Sequence, residues 1–211
     1  MTIDKLGLYQ GALRMVGERK LSGLTEARGP RYLLDDVWTE DPIKACLEAG
    51  EWAFATRSTL MEADNGVAPD FGYSYGFEKP TDWVRTVSVS LDEYFNIPLK
   101  QHRDEGGFLW LDNPEVYFAY VSDDNSWGRN FALWTPSFIN YVMAYMAKKI
   151  CPTIVNSITT IKELDDEMET YLKKAGGKNA LTRPTHDMPE GGWVSSRRGG
   201  RYFRDDRRSD R

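Results

Sequence analysis

Between Thr135 and Ile150 the residues Phe138, Ile139, Tyr141, Val142, Tyr145, Met146 and Ile150 recur at helical spacing and cover more than half the helix circumference. A surface helix needs only one apolar stripe. A helix as apolar as this must be covered on several sides, so the rest of the chain has to supply a layer around it. Thr135-Pro136 gives it an N-cap and a first-turn proline, and Pro152 is expected to close it.

Elements able to form that layer lie on both sides. Ile3, Leu6, Tyr9, Leu13 and Val16 share one helical face, with Thr2 or Asp4 as N-cap and Gly17 as stop. Pro30 opens a second helical stretch with Leu33, Leu34, Val37 and Trp38. Asp41-Pro42 breaks or kinks it before Ile43, Cys46 and Leu47 resume the pattern up to Gly50. After Pro152, Ile158, Ile161, Leu164, Met168, Tyr171 and Leu172 form another stripe, with Glu163, Asp165, Asp166, Glu167 and Glu169 mostly on the opposite face. Gly176-Gly177 is expected to stop this helix.

The stretch from Trp52 to Val121 has a different character, with short runs of Val, Tyr, Phe, Trp and Thr between Gly, Pro and Asp. Strands are expected at Phe54 to Met61, Tyr73 to Phe77, Thr86 to Leu91, Leu99 to His102, Phe108 to Leu111 and Val116 to Val121. A hairpin is expected at Asp104-Glu105-Gly106-Gly107 and a turn at Asp112-Asn113-Pro114. The expected fold is α+β and mainly helical: a four-helix-type bundle with one small antiparallel sheet inserted, followed by an extended C-terminal arm. In residues this reads as N-terminal helices of the bundle (1–51), inserted sheet region (52–122), C-terminal helices (123–177) and an Arg/Gly-rich arm (178–211) expected to be disordered in the free monomer.

Charge separates these parts. The 211 residues carry 27 Lys plus Arg against 32 Asp plus Glu, a net charge of -5. Residues 191–211 hold seven Arg and three Asp, a balance of +4, which leaves 20 basic against 29 acidic residues in 1–190, a balance of -9. An acidic body of this kind is no basic nucleic-acid coat. No window is apolar for the roughly 18 residues of a membrane span. The first residues lack the basic and apolar regions of a signal peptide, so the protein is expected to act in the cytoplasm or in a particle assembled there.

Chemistry-bearing clusters are few. Cys46 and Cys151 fall within helical stripes, and neither they nor His102 and His186 stand at zinc-ligand spacing, so no metal or cofactor is expected. Asp123-Asp124 and Asp165-Asp166-Glu167 could hold a divalent ion for a hydrolase. Neighbouring helical carboxylates, however, diverge by about 100°. Gly176-Gly177-Lys178 follows a helix instead of joining a strand to one, so it is no phosphate loop. Ser74 or Ser137 with His102 rests on residue type alone. The reading is that the protein is not an enzyme.

The arm stands out by composition. Arg197, Arg198, Arg201 and Arg204 are interleaved with Trp193, Tyr202 and Phe203. Such a segment can stack on bases and pair with phosphates, can dock on protein through its aromatic and Arg residues, or can be a solvated terminus. Asp205, Asp206 and Asp210 favour protein docking, because carboxylates weaken a nucleic-acid arm. A nucleic-acid-binding module acting through this arm is the alternative function.

Several passages together carry a resemblance: LGLYQGALRMVGERKLSGLTE, RYLLDDVW, CLEAGEWAFATRS, FGYSYGFEKPTDWVRTVSVS and VYFAYVSDD ahead of the last helical pair. In order and spacing, over residues 5–175, they resemble the head-to-tail adaptors of short-tailed bacteriophages, also called tail tubular protein A or portal-joining proteins. Pro42 departs from that pattern, and the arm lies outside it. The resemblance implies a structural virion protein at the head-tail junction, forming a dodecameric ring that joins the portal protein to the tail nozzle protein and extends the DNA channel. The bundle is then expected to form the ring wall, the genomic DNA to pass without specific binding, and no membrane to be involved. Glu163, Asp166 and Glu167 are candidates for the channel lining, where carboxylates repel phosphates. Trp193, Arg197, Arg198, Arg201, Tyr202, Phe203 and Arg204 are candidates for docking on the portal or a neighbouring subunit.

Overall fold

The protein is described by a computed structural model covering residues 3–182 apart from 65, 68–71 and 97. Five helices are present among them, α1 Lys5–Met15, α2 Gly29–Thr39, α3 Pro42–Glu48, α4 Pro136–Ile154 and α5 Ile158–Thr182. The six strands are β1 Thr56–Glu62, β2 Tyr75–Glu78, β3 Trp83–Ser90, β4 Arg103–Glu105, β5 Phe108–Leu111 and β6 Glu115–Ser122.

The helix starts follow their chemistry. Asp4 accepts the Gly7 N–H at the head of α1, and Thr135 accepts the Phe138 N–H at the head of α4. Asp41 takes a left-handed conformation (φ 56°) and caps α3 through the Lys44 N–H, so the chain is broken between α2 and α3 instead of kinked. Two expected stops move. Pro152 lies inside α4, whose end comes at Ile154, with Asn156 left-handed (φ 48°) and its N–H on the Cys151 carbonyl. The Gly176-Gly177 pair lies within α5, which continues to Thr182. Both glycines have ordinary helical φ and face open space.

The expected four-helix-type bundle with one inserted sheet is not what forms. Among the described residues helices account for 42% and strands for 21%, in five helices and two three-stranded antiparallel sheets. One sheet has the order β1-β6-β3, the other β2-β5-β4. The reason lies in β6. Its Val116, Phe118 and Tyr120 point to one face and Ala119 and Val121 to the other, and all five are buried. A strand apolar on both faces needs two covers. On one side Val121 and Val84 join a core made by α1 to α5. On the other, Val116, Phe118, Tyr120 and Val89 pack on Phe77, Leu109 and Leu111 of the second sheet. The helices are also too unequal for a bundle, with 11, 11 and 7 residues in α1 to α3 against 19 and 25 in α4 and α5.

Strand boundaries differ in detail. Leu99 to His102 is not a strand, and the hairpin strand before Gly106-Gly107 is β4. Both glycines have positive φ (63° and 85°), as a two-residue type I′ turn requires.

Helix α4 occupies the centre of the larger core. Phe138 is fully buried and meets the rings of Trp52, Phe54 and Trp134 at centroid distances of 4.6, 5.0 and 4.8 Å. The indole N–H groups of Trp52 and Trp134 donate to the carbonyls of Cys46 and Gly128, at 3.0 and 2.8 Å, and this fixes the cluster where helices meet sheet. Phe138→Ala is expected to cost about 3–5 kcal/mol, read as a fall in the urea midpoint with an unchanged slope. An unaltered midpoint would contradict the central place given to this ring.

Candidate functional site

The carboxylates proposed from sequence for a charged surface occupy one side of α5. Leu164 and Ala175 are buried, with Ile161, Met168, Tyr171 and Leu172 partly buried beside them against the core, and Glu163, Asp166 and Glu167 are exposed on the far side. Glu163 lies three residues before Asp166 and four before Glu167, so it neighbours both, while Asp166 and Glu167 diverge from each other by about 100°. None of the three side chains has an ion pair among the described residues. The neighbouring Asp165 pairs with Lys148 of α4 at 2.5 Å and Glu169 with Lys173 at 2.6 Å. Exposed Lys162 stands ahead of these carboxylates, four residues before Asp166, and Lys173 and Lys174 follow them farther along the helix.

The docking candidates Trp193, Arg197, Arg198, Arg201, Tyr202, Phe203 and Arg204 all lie outside the described residues, as does His186.

The other sequence candidates have local structural partners. Asp123 pairs with Arg129 at 3.2 Å, and Arg129 also binds Asp41 at the head of α3, tying that helix to the end of β6. Asp124 accepts the Ser126 N–H at 2.7 Å. Ser74 donates to Asp112, His102 Nδ1 lies 3.0 Å from the Leu99 carbonyl, and Ser137 is buried in the first turn of α4. Burial pushes the Cys46 thiol up, away from reactivity, and Cys151 is also buried and free. Among the described residues no group of three or more His, Cys, Asp or Glu is placed to hold a metal ion, and no helix is long and apolar enough to cross a membrane.

Two features were not read from the sequence. A groove of about 250 Å³ between α4 and α5 is lined by Tyr145, Lys148, Lys149, Pro152 and Met168, but Lys148 is held by Asp165 and Lys149 by Glu40 at 3.1 Å. Its cations are already matched. The second is a polar cluster around Asp82, whose carboxylate accepts from Tyr120 Oη at 3.0 Å, from Ser122 Oγ and from Arg57 at 3.2 Å. These groups come from two strands, β1 and β6, and the loop before β3. Only their positions in the antiparallel register join them, so no local spacing signals the cluster.

Burial pushes the Asp82 carboxyl upward, but the hydrogen bonds from Ser122 and Tyr120 and the Arg57 charge outweigh it and hold the group below the usual carboxylate range. Tyr120 moves the opposite way, up to about 12, through burial first and then the adjacent Asp82. The cluster pins the sheet and presents no free nucleophile or base.

No known family model matches the chain, and no curated protein matches it either.

The depressed Asp82 carboxyl contributes stability that is present above the unfolded-state value near 4 and is lost as the pH falls through its folded value. Asp82→Asn is expected to cost about 1.5–3 kcal/mol at pH 7. Its gap from the native protein should narrow as the pH is lowered below about 4. Denaturation series at pH 7 and pH 3 measure both effects; a gap that stays constant between them would contradict the assignment.

Proposed function

We propose that this chain is a structural assembly protein of a short-tailed phage virion, a subunit of the adaptor ring that joins the portal to the tail nozzle and extends the DNA channel. The ordered resemblance over residues 5–175 supplies the class. The observation that carries the mechanism is the separation of charge, an unpaired carboxylate stripe on a long exposed helix in a body at -9, and an Arg-rich arm at +4. Each part has its own task in such a ring.

Glu163, Asp166 and Glu167 line the channel and repel phosphates, so that DNA slides instead of adhering. The arm docks on the portal or a neighbouring subunit through Trp193, Tyr202, Phe203 and the Arg residues between them. Docking through this arm makes assembly depend on the presence of its partner.

Deleting residues 191–211 tests the division of tasks. The truncated protein is expected to keep the thermal unfolding of the full chain and to lose co-sedimentation with a matching portal. Full retention of portal binding would overturn the role given to the arm.

A further inference from the structure

The two edges of the β1-β6-β3 sheet are built differently. β3 carries register shifts between Trp83 and Arg85 and between Thr86 and Ser88, and its end is bridged from Ser90 to Pro98. Such irregularities blunt an edge. β1 pairs with β6 in seven consecutive, unshifted positions from Thr56↔Val121 to Glu62↔Glu115, and β6 is its only hydrogen-bonded neighbour among the described residues. It contains no proline or glycine, and Leu60 stands 47% exposed on its open face. A straight edge of this length is a template for another strand.

The side chains along β1 specify what that strand is. Ser58, Leu60 and Glu62 are exposed on one face, while Arg57, Thr59 and Met61 are half-buried on the other, with Met61 packed on the core between the sheets. At the end of the ladder Glu62 and Glu115 stand directly opposite each other, like charges that a cation beside them would relieve.

We propose that β1 receives residues 201–206 of a neighbouring copy as an added antiparallel strand. The register sets Arg201 against Glu62, Tyr202 against Met61, Phe203 against Leu60, Arg204 against Thr59, Asp205 against Ser58 and Asp206 against Arg57. On the exposed face this pairs a guanidinium with the Glu62 carboxylate and a phenyl ring with the exposed Leu60. On the other face Tyr202 extends the apolar core at Met61, while Asp206 falls beside Arg57, which already pairs with Asp82, and adds nothing to the docking. The alternation of Arg and aromatic residues in the arm is what this edge requires.

The eighteen residues 183–200 separate α5 from this segment and span up to roughly 60 Å when extended, enough to reach an adjoining subunit. A donated strand and an accepting edge are different surfaces, so the contact is head-to-tail and propagates around a ring. The inference rests on the ring reading in this respect and deepens it by naming where the arm binds.

Cysteine cross-linking in the full chain tests it, since directly opposite positions lie within disulfide reach and Cys46 and Cys151 are buried. Under mild oxidation, mixing Leu60→Cys protein with Phe203→Cys protein is expected to give covalent dimers. The double variant L60C/F203C should give a ladder of multimers, at least tenfold faster than L60C/Y202C, whose second cysteine lies on the opposite face. Glu62→Arg should slow the reaction about tenfold, and adding Arg201→Glu should restore it. Equal rates for the F203C and Y202C pairs, cross-links confined within single chains, or equally fast dimers from Leu60→Cys protein alone would each overturn the proposal. Electron microscopy reads the ring separately. Rings without the cross-link remove the strand and leave the ring, whereas cross-linked copies without rings do the reverse.

Discussion

The structure depends on burying helix α4. Ten of its nineteen residues are buried, and α1, α2, α3 and α5 all contribute to the core in which it lies. Each large apolar side chain removed from water there is worth about 1.5–3 kcal/mol. Elements that are weak alone are stable only against this surface, as the seven-residue α3 illustrates. The same helix anchors the sheet, because Phe138 near its start closes the ring cluster formed with Trp52, Phe54 and Trp134.

A second constraint is the two-faced strand β6. Its inner residues are shared between the helical core and the core between the sheets, so the order of layers is helices, first sheet, second sheet. Where β6 ends, polar groups replace apolar contacts. Asp82 gathers Tyr120, Ser122 and Arg57, and Asp82 and Asp123 are joined by a backbone hydrogen bond of 2.9 Å, with Arg129 on Asp123 reaching back to α3. The body is thus fixed at its layer junction by matched charges, while Glu163, Asp166 and Glu167 of α5 have no ion pair among the described residues.

Local signals in the sequence account for the helix starts, the αL break at Asp41, the Gly106-Gly107 turn and the burial of α4, because capping, proline and periodicity act over a few residues. They do not account for the division into two sheets. That depends on which strands pair over long separations, and VYFAYVS reads equally well as the centre of one sheet. The misplaced stops have a local cause: in α4 the left-handed residue is Asn156, four positions beyond the proline expected to end it, and in α5 the paired glycines keep helical dihedrals. Of the candidate surfaces, the α5 stripe was legible from periodicity, because the opposite apolar face fixes its direction. The Asp82 cluster was not, being assembled from residues 25 to 40 positions apart.

We propose that an acidic body and a basic docking arm make this chain a ring subunit assembled on a portal. Negative-stain electron microscopy of the protein alone and with a matching portal measures it most directly. Closed rings seated on the portal are expected, coaxial with its channel and absent when residues 191–211 are removed. Monomers that leave the portal undecorated at saturating concentration would contradict it.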